Sequence, residues 1–189
     1  MFVFLDLETG GIPSKEYPLS EIPILEVAIV VTGDDLVELA HKQVVISQPE
    51  YKLEGMGDWA KEHHTKTGLL AASRSVTLAQ GAAGLQLTDW LYSNFLYRHG
   101  ADGSDLKPPM CGNSIHYDRK FLEEHMPQLA SLFHYRNIDV STLKELGKAW
   151  GIPPFEKEGG VEHRALDDVR HSIDELAHYR QYFNVGDSK

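Results

Sequence analysis

The sequence predicts one α/β domain over residues 1–189, built on a mixed five-stranded sheet flanked by helices. Three strand-like runs come first, joined closely enough to pair antiparallel, and short apolar runs then alternate with helical periodicity. The opening stretch MFVFLDLETGG sets the centre of that sheet. Phe2, Val3, Phe4 and Leu5 run without alternation into Asp6, Leu7 and Glu8, and the segment stops at Gly10-Gly11. An unbroken apolar run ending in glycines is expected to be a strand covered on both faces.

The remaining elements follow in order. Residues 13–23 form a loop with three prolines. Residues 24–31 are the second strand, Gly33-Asp34-Asp35 a hairpin turn, and 36–46 the third strand. Glu26, a carboxylate among aliphatics, is expected to be a structural hydrogen-bond partner. Residues 52–72 have helical spacing interrupted by Gly55, Gly57 and Gly68, giving short helices. Thr77-x-x-Gln80 is a capping box opening a long helix with the stripe Ala83, Leu87, Leu91 and Phe95. A polar loop covers 99–107, a short buried strand 109–112, and a helix 115–125. Residues 135–138 are the last strand. Thr142-x-x-Glu145 caps a helix striped by Leu143, Leu146 and Trp150. A loop spans 151–160, and 165–183 is the terminal helix on Val169, Ile173, Leu176 and Phe183.

Composition narrows the function. Hydrophobic content of 42% and charged content of 24% are ordinary for a globular protein. The single cysteine, Cys111, excludes an internal disulfide and is expected to be a buried, inert thiol. The first residues are strand and lead straight into chemistry, so no signal peptide is expected. No apolar run approaches the roughly 18 residues of a membrane span, so the expected setting is cytoplasmic. The formal net charge is -10, with no basic run. A protein that grips long nucleic acid shows its phosphates a basic face, so any nucleic-acid substrate is expected to be short.

Polar residues collect at the ends of elements. Asp6 and Glu8 are two apart on a strand and share a face. Two neighbouring carboxylates at the end of a buried strand repel and lose hydration, which is costly unless a cation neutralises them. Alone, D-x-E fits either a metal site or a polar strand end. Asp118 falls in the helix after the Cys111 strand, and Asp168 in the first turn of the last helix, just after His163. Four carboxylates supply oxygens for two divalent ions about 3.5–4 Å apart, the arrangement used for in-line phosphoryl displacement. Oxygen ligands suit Mg²⁺ or Mn²⁺ rather than zinc. His163 would take the proton from the attacking water.

The order D-x-E, D, H-x4-D resembles the DEDDh family of 3′→5′ exonucleases, which has an RNase H-like fold. Longer strings resemble its oligoribonuclease branch: Met56-x-Asp58-Trp59, His64-x3-Gly68-Leu69, Gly112-Asn113-Ser114-x3-Asp118, His134-Tyr135-Arg136-x2-Asp139-Val140-Ser141-Thr142, and His163-Arg164-Ala165-Leu166-Asp167-Asp168. The first motif departs from that branch by placing Ile12 where the family carries a leucine wedge, and the loop 13–23 is atypical. The resemblance implies that Asp6, Glu8, Asp118 and Asp168 hold two Mg²⁺ or Mn²⁺ ions, with His163 as general base. It implies that Trp59 and His64 contact bases, that Ile12 wedges between them, and that Ser114, Arg136 and Ser141 cap the 5′ phosphate. Read without it, Trp59 is a helix core residue and Arg136 a surface strand residue. It also implies a homodimer in which Tyr135 and Arg136 reach the partner's site. The implied activity is removal of nucleoside 5′-monophosphates from very short RNA, dinucleotides especially. The alternatives are a DEDDh exonuclease acting on DNA 3′ ends and a non-catalytic binding module on the same fold.

Overall fold

The computed structural model describes residues 1–96, 107–156 and 164–183, without the side chains of Phe95 and Leu96. His163, Phe95 as a stripe residue, nearly all of the loop expected at 99–107 and the end of that expected at 151–160 lie outside them. Strands β1 (Phe2–Thr9), β2 (Ile24–Thr32), β3 (Glu38–Val45), β4 (Met110–Gly112) and β5 (Asn137–Asp139) form one sheet. Its order is β3-β2-β1-β4-β5. The first three pair antiparallel, and β4 and β5 run parallel to β1. This is the mixed sheet of an RNase H-like fold, with the opening stretch at its centre.

Both faces of β1 are covered, which is why Val3, Phe4 and Leu5 are all buried. Val3, Leu5 and Leu7 pack on the side of α4 (Gln80–Leu91), α5 (His116–His125) and α6 (Pro127–Ser131). Phe4, Ala28 and Val30 pack on the side of α7 (Val140–Trp150) and α8 (Ala165–Arg180). A third cluster joins Leu25 to α1 (Glu50–Glu54), α2 (Asp58–Lys66) and α3 (Leu69–Ser75). Alternation therefore sends Asp6 and Glu8 to the α8 face. β4 ends at Gly112, where a Cβ would lie 2.8 Å from the Leu5 carbonyl oxygen. Only glycine lets these strands approach so closely. Cys111 is buried, and burial pushes its thiol up to about 12. Among the described residues no helix is long and apolar enough to cross a membrane.

Four local expectations are corrected. Thr77 does not cap α4: Ala79 is the N-cap, because residues 78–79 remain extended against Ser47, whose N–H donates to the Leu78 carbonyl at 2.8 Å. Thr142 does not cap α7 either. Asp139 does, accepting the Ser141 N–H at 3.1 Å. β5 begins at Asn137, so Tyr135 and Arg136 precede the strand and do not alternate across it. Their side chains lie together, with the guanidinium carbon 5.2 Å from the tyrosine ring centre. Finally, α7 packs through Val140 and Gly147, the latter against Tyr179, which leaves Leu146 and Trp150 exposed.

Candidate active site

Asp6 and Glu8 end the central strand on the face where α8 begins, and α8 carries Asp168 in its first turn. One carboxylate oxygen from each of these three residues lies within 4.8 Å of the others. Asp118, on α5, is outside this close trio and is held beside β1, accepting the Leu7 N–H at 3.0 Å. The start of α8 is fixed by Glu26, which pairs across the sheet with Glu8 and is fully buried. Its carboxylate accepts from Arg164 Nε at 3.0 Å and from Arg164 Nη2, from the Ala165 N–H at 3.1 Å, and from Gln43 at 2.9 Å. Glu26 is thus the structural partner expected from the sequence. A forked, charge-assisted contact of this kind sets orientation as well as distance. It ties the residue after His163 to the sheet. Arg164 could have been singled out only by knowing that it faces Glu26 across 138 residues of chain.

The cluster is electrostatically stressed. Burial first, then the charges of Asp118, Glu8 and Asp168, hold the Asp6 carboxyl well above the usual range. Burial, then Asp168 and Glu26, push Glu8 up to about 8, although Arg164 pulls it down. Asp118 is raised to about 7, mainly by burial. Oxygen donors that repel one another in a desolvated site fit a hard divalent cation, which removes the cost of their charge.

This gives a pH signature. Unfolded, these carboxyls titrate near pH 4. Folded, Asp118 and Glu8 keep protons up to about 7 and about 8, so the folded chain binds more protons than the unfolded one in that window. Their contribution to stability is fully present below about pH 4 and is lost as pH rises through about 8. With chelator present, the melting temperature of Glu8→Gln is expected to fall less than wild type between about pH 6 and about pH 8. Mn²⁺ is expected to stabilise wild type more at the higher pH. Differential scanning calorimetry checks this, and a Mn²⁺ effect independent of pH would contradict it.

The expected substrate residues divide into two groups by place. Ile12, 78% exposed, follows β1 in a loop pinned to the start of α2 by the Gly57 N–H, which donates to the Gly10 carbonyl at 3.0 Å. It lines a cleft of about 600 Å³ with Tyr117 and Lys120. Trp59 is not a core residue: it is 73% exposed, and its ring lies flat against His63, with centroids 4.9 Å apart. His64 is buried behind it and bonds the Thr9 carbonyl at 2.9 Å, and burial lowers its pKa. On the other side, the Ser114 N–H donates to Asp139 and to the Ser141 hydroxyl, both at 2.9 Å, and the two hydroxyls are 3.2 Å apart. Ser114 holds φ +49°, a conformation unusual outside glycine and asparagine. Asp139 and Asn113 organise this corner, Asn113 accepting from Ser141 and donating to Ser172 and Glu175.

Arg136 lies just before β5, with its guanidinium over the Tyr135 ring. Asn137 is level with Met110 and hence with Val3, so Arg136 is level with Phe2. Asp6 and Glu8 are four and six residues further along, a backbone offset of about 13–20 Å at 3.3 Å per residue, and two strands away. Tyr135 is 74% exposed there, on a bend braced by Arg119, which donates to the His134 carbonyl at 2.6 Å.

The sheet and the acidic strand end define a class that comparison with known proteins identifies. The RNase_T exonuclease family model matches residues 3–176. The chain is 40% identical to the oligoribonuclease of Alcanivorax borkumensis over 185 residues, covering 96% of this chain and 94% of that one. It is 42% identical to that of Neisseria meningitidis over 187 residues, covering 96% and 91%. Among solved structures, E. coli Exonuclease I in complex with a 5cy-dT13 oligonucleotide matches with a TM-score of 0.54 at 14% identity. That match covers 96% of this chain and 40% of the other, and shows the fold alone. The chain belongs to the oligoribonuclease family of exonucleases.

Proposed function

We propose that this chain is a divalent-metal-dependent 3′→5′ exoribonuclease that cuts very short RNA, dinucleotides especially, into nucleoside 5′-monophosphates. The observation that carries the reading is the convergence of Asp6, Glu8 and Asp168 at the end of the central strand. Family membership supports the same chemistry.

In this reading Asp6, Glu8, Asp118 and Asp168 hold two Mg²⁺ or Mn²⁺ ions. Bound there, the ions supply Lewis acidity to the attacking water and to the phosphate oxygens. His163 takes the water's proton as general base. It precedes Arg164, whose bond to Glu26 anchors the chain beside the carboxylates. Trp59 and His64 contact bases, and stacking on the exposed indole is tolerant of sequence because every base has a π-face. Ile12 wedges between the bases. Ser114 and Ser141 take the 5′ phosphate.

Arg136 completes that cap from a second copy. Its backbone lies just before β5, at the end of that strand away from Asp6 and Glu8, and together with the family resemblance this favours a homodimer in which the partner's Tyr135 and the partner's Arg136 close the substrate end. Exposed Leu146 and Trp150 are apolar surface available to such an interface. The reading also treats residues 1–189 as one catalytic domain working in the cytoplasm, where a lone buried thiol is at ease.

A closed phosphate end leaves room for few nucleotides, and a chain with net charge -10 offers little to a longer phosphate backbone. Rates on 5′-phosphorylated RNAs are therefore expected to fall steeply from two nucleotides toward twenty, and DNA of equal length to be cut more slowly. Gel resolution of labelled products checks this. Equal rates on a dinucleotide and a twenty-mer would refute the cap, and preference for long DNA ends would favour a proofreading-type enzyme.

A further inference from the structure

We propose that Glu8, His63 and His64 form a second metal site, suited to Zn²⁺, that shares Glu8 with the acidic trio. A Glu8 carboxylate oxygen and one ring nitrogen from each histidine all lie within 4.8 Å of one another. His64 is 1% exposed, and its Nε2 meets the Thr9 carbonyl oxygen at 2.9 Å. A carbonyl only accepts, so Nε2 carries the hydrogen and the neutral ring keeps its lone pair on Nδ1. That Nδ1 has no hydrogen-bond partner and lies 3.9 Å from Glu8 Oε2. A buried polar atom left unsatisfied is costly and calls for a ligand. A ring whose other N–H is held by a carbonyl is also the arrangement that orients histidines on metals.

His63 is positioned from both sides. Its ring stacks on Trp59 at an interplanar angle of 6° and meets His64 edge-on with centroids 5.3 Å apart. Tetrahedral zinc with bonds of about 2.0–2.2 Å sets its ligand atoms about 3.4 Å apart, so small side-chain rotations close the site. Three protein ligands leave the fourth position to water. Two imidazoles and one carboxylate favour zinc over magnesium, whereas the all-oxygen trio favours Mg²⁺ or Mn²⁺. Zinc in the histidine site draws Glu8 away from Asp6 and Asp168. Resting on the reading that the trio serves catalysis, zinc then inhibits turnover in competition with Mn²⁺.

The test is equilibrium dialysis of the full chain against Zn²⁺, with the visible spectrum of bound Co²⁺ as a second readout. His63→Ala is expected to weaken zinc at least about tenfold and to erase the cobalt bands of imidazole ligation. Asp168→Asn is expected to keep both. Unchanged zinc binding in His63→Ala, or loss in Asp168→Asn alone, would overturn the site by placing zinc in the acidic trio. On the unmodified chain, zinc must also shift the ¹⁵N resonance of His64 Nδ1, and a resonance that does not move overturns the proposal whatever the variants do. If binding behaves as expected but zinc leaves the turnover of the unmodified chain unaffected, the site stands and the catalytic reading of Glu8 fails.

Discussion

Asp168→Asn is expected to lower turnover of a dinucleotide by about 10³-fold or more, because metal stabilisation of transition-state charge contributes several kcal/mol and each 1.36 kcal/mol is tenfold. The fold should survive. Asparagine matches the shape of aspartate, and α8 is held by the buried Val169 and Ile173 and by the Glu26 contacts at its start. The charge of Asp168 helps push up both Asp6 and Glu8, so its removal relieves repulsion in the unloaded protein. The melting temperature with chelator is thus expected to stay level or rise while activity disappears. A structural carboxylate would behave in the opposite way, losing stability first. Asp6→Ala should match it in rate, and His163→Ala should cost about 10²–10⁴-fold with dinucleotide binding retained. Turnover by Asp168→Asn close to wild type would remove the trio from catalysis.

Mixing two defective chains is expected to restore activity that neither has alone. Asp6→Ala lacks a metal ligand, and Arg136→Ala lacks the phosphate arm. The backbone of Arg136 is level with Phe2, two strands away from Asp6 and Glu8 of its own chain and offset from them along the strands by about 13–20 Å. An arm acting across a dimer gives each exchanged heterodimer one site with intact carboxylates and with Arg136 from the partner. Up to about a quarter of the wild-type rate should then return in an equal mixture, since half of the dimers are mixed and each has one complete site of two. An arm acting within its own chain leaves every site defective, and mixing restores nothing. Sedimentation at working concentration supplies the companion result: a fully active monomer would contradict the arrangement.

The elements that bury most were the easiest to read in the sequence. β1 and β2 are dense apolar runs, and their burial on both faces follows from that density alone. The shared face of Asp6 and Glu8 followed from strand alternation. Caps were misread because they are settled by competition in three dimensions. Thr77-x-x-Gln80 has the local chemistry, yet Ser47 holds the backbone extended through Ala79, and Gln80 spends its side chain on Gln48 and His125. Asp139 outcompetes Thr142 because its carboxylate also serves the Ser114 N–H. Spacing alone places Leu146 and Trp150 inward, and Trp59 too when the resemblance that makes it a base contact is set aside. Periodicity finds an apolar face but does not say what covers it. The Glu26–Arg164 pair and the orphaned His64 Nδ1 were not legible, because each depends on a contact between distant segments.

The most direct measurement is the product analysis of a 5′-phosphorylated RNA dinucleotide, incubated with Mg²⁺ or with EDTA and resolved by chromatography. The acidic strand end, acting through bound divalent ions on water, requires complete conversion to two nucleoside 5′-monophosphates with Mg²⁺, none with EDTA, and recovery when Mg²⁺ is restored. Nucleoside 3′-phosphates among the products, or undiminished cleavage in EDTA, would contradict it.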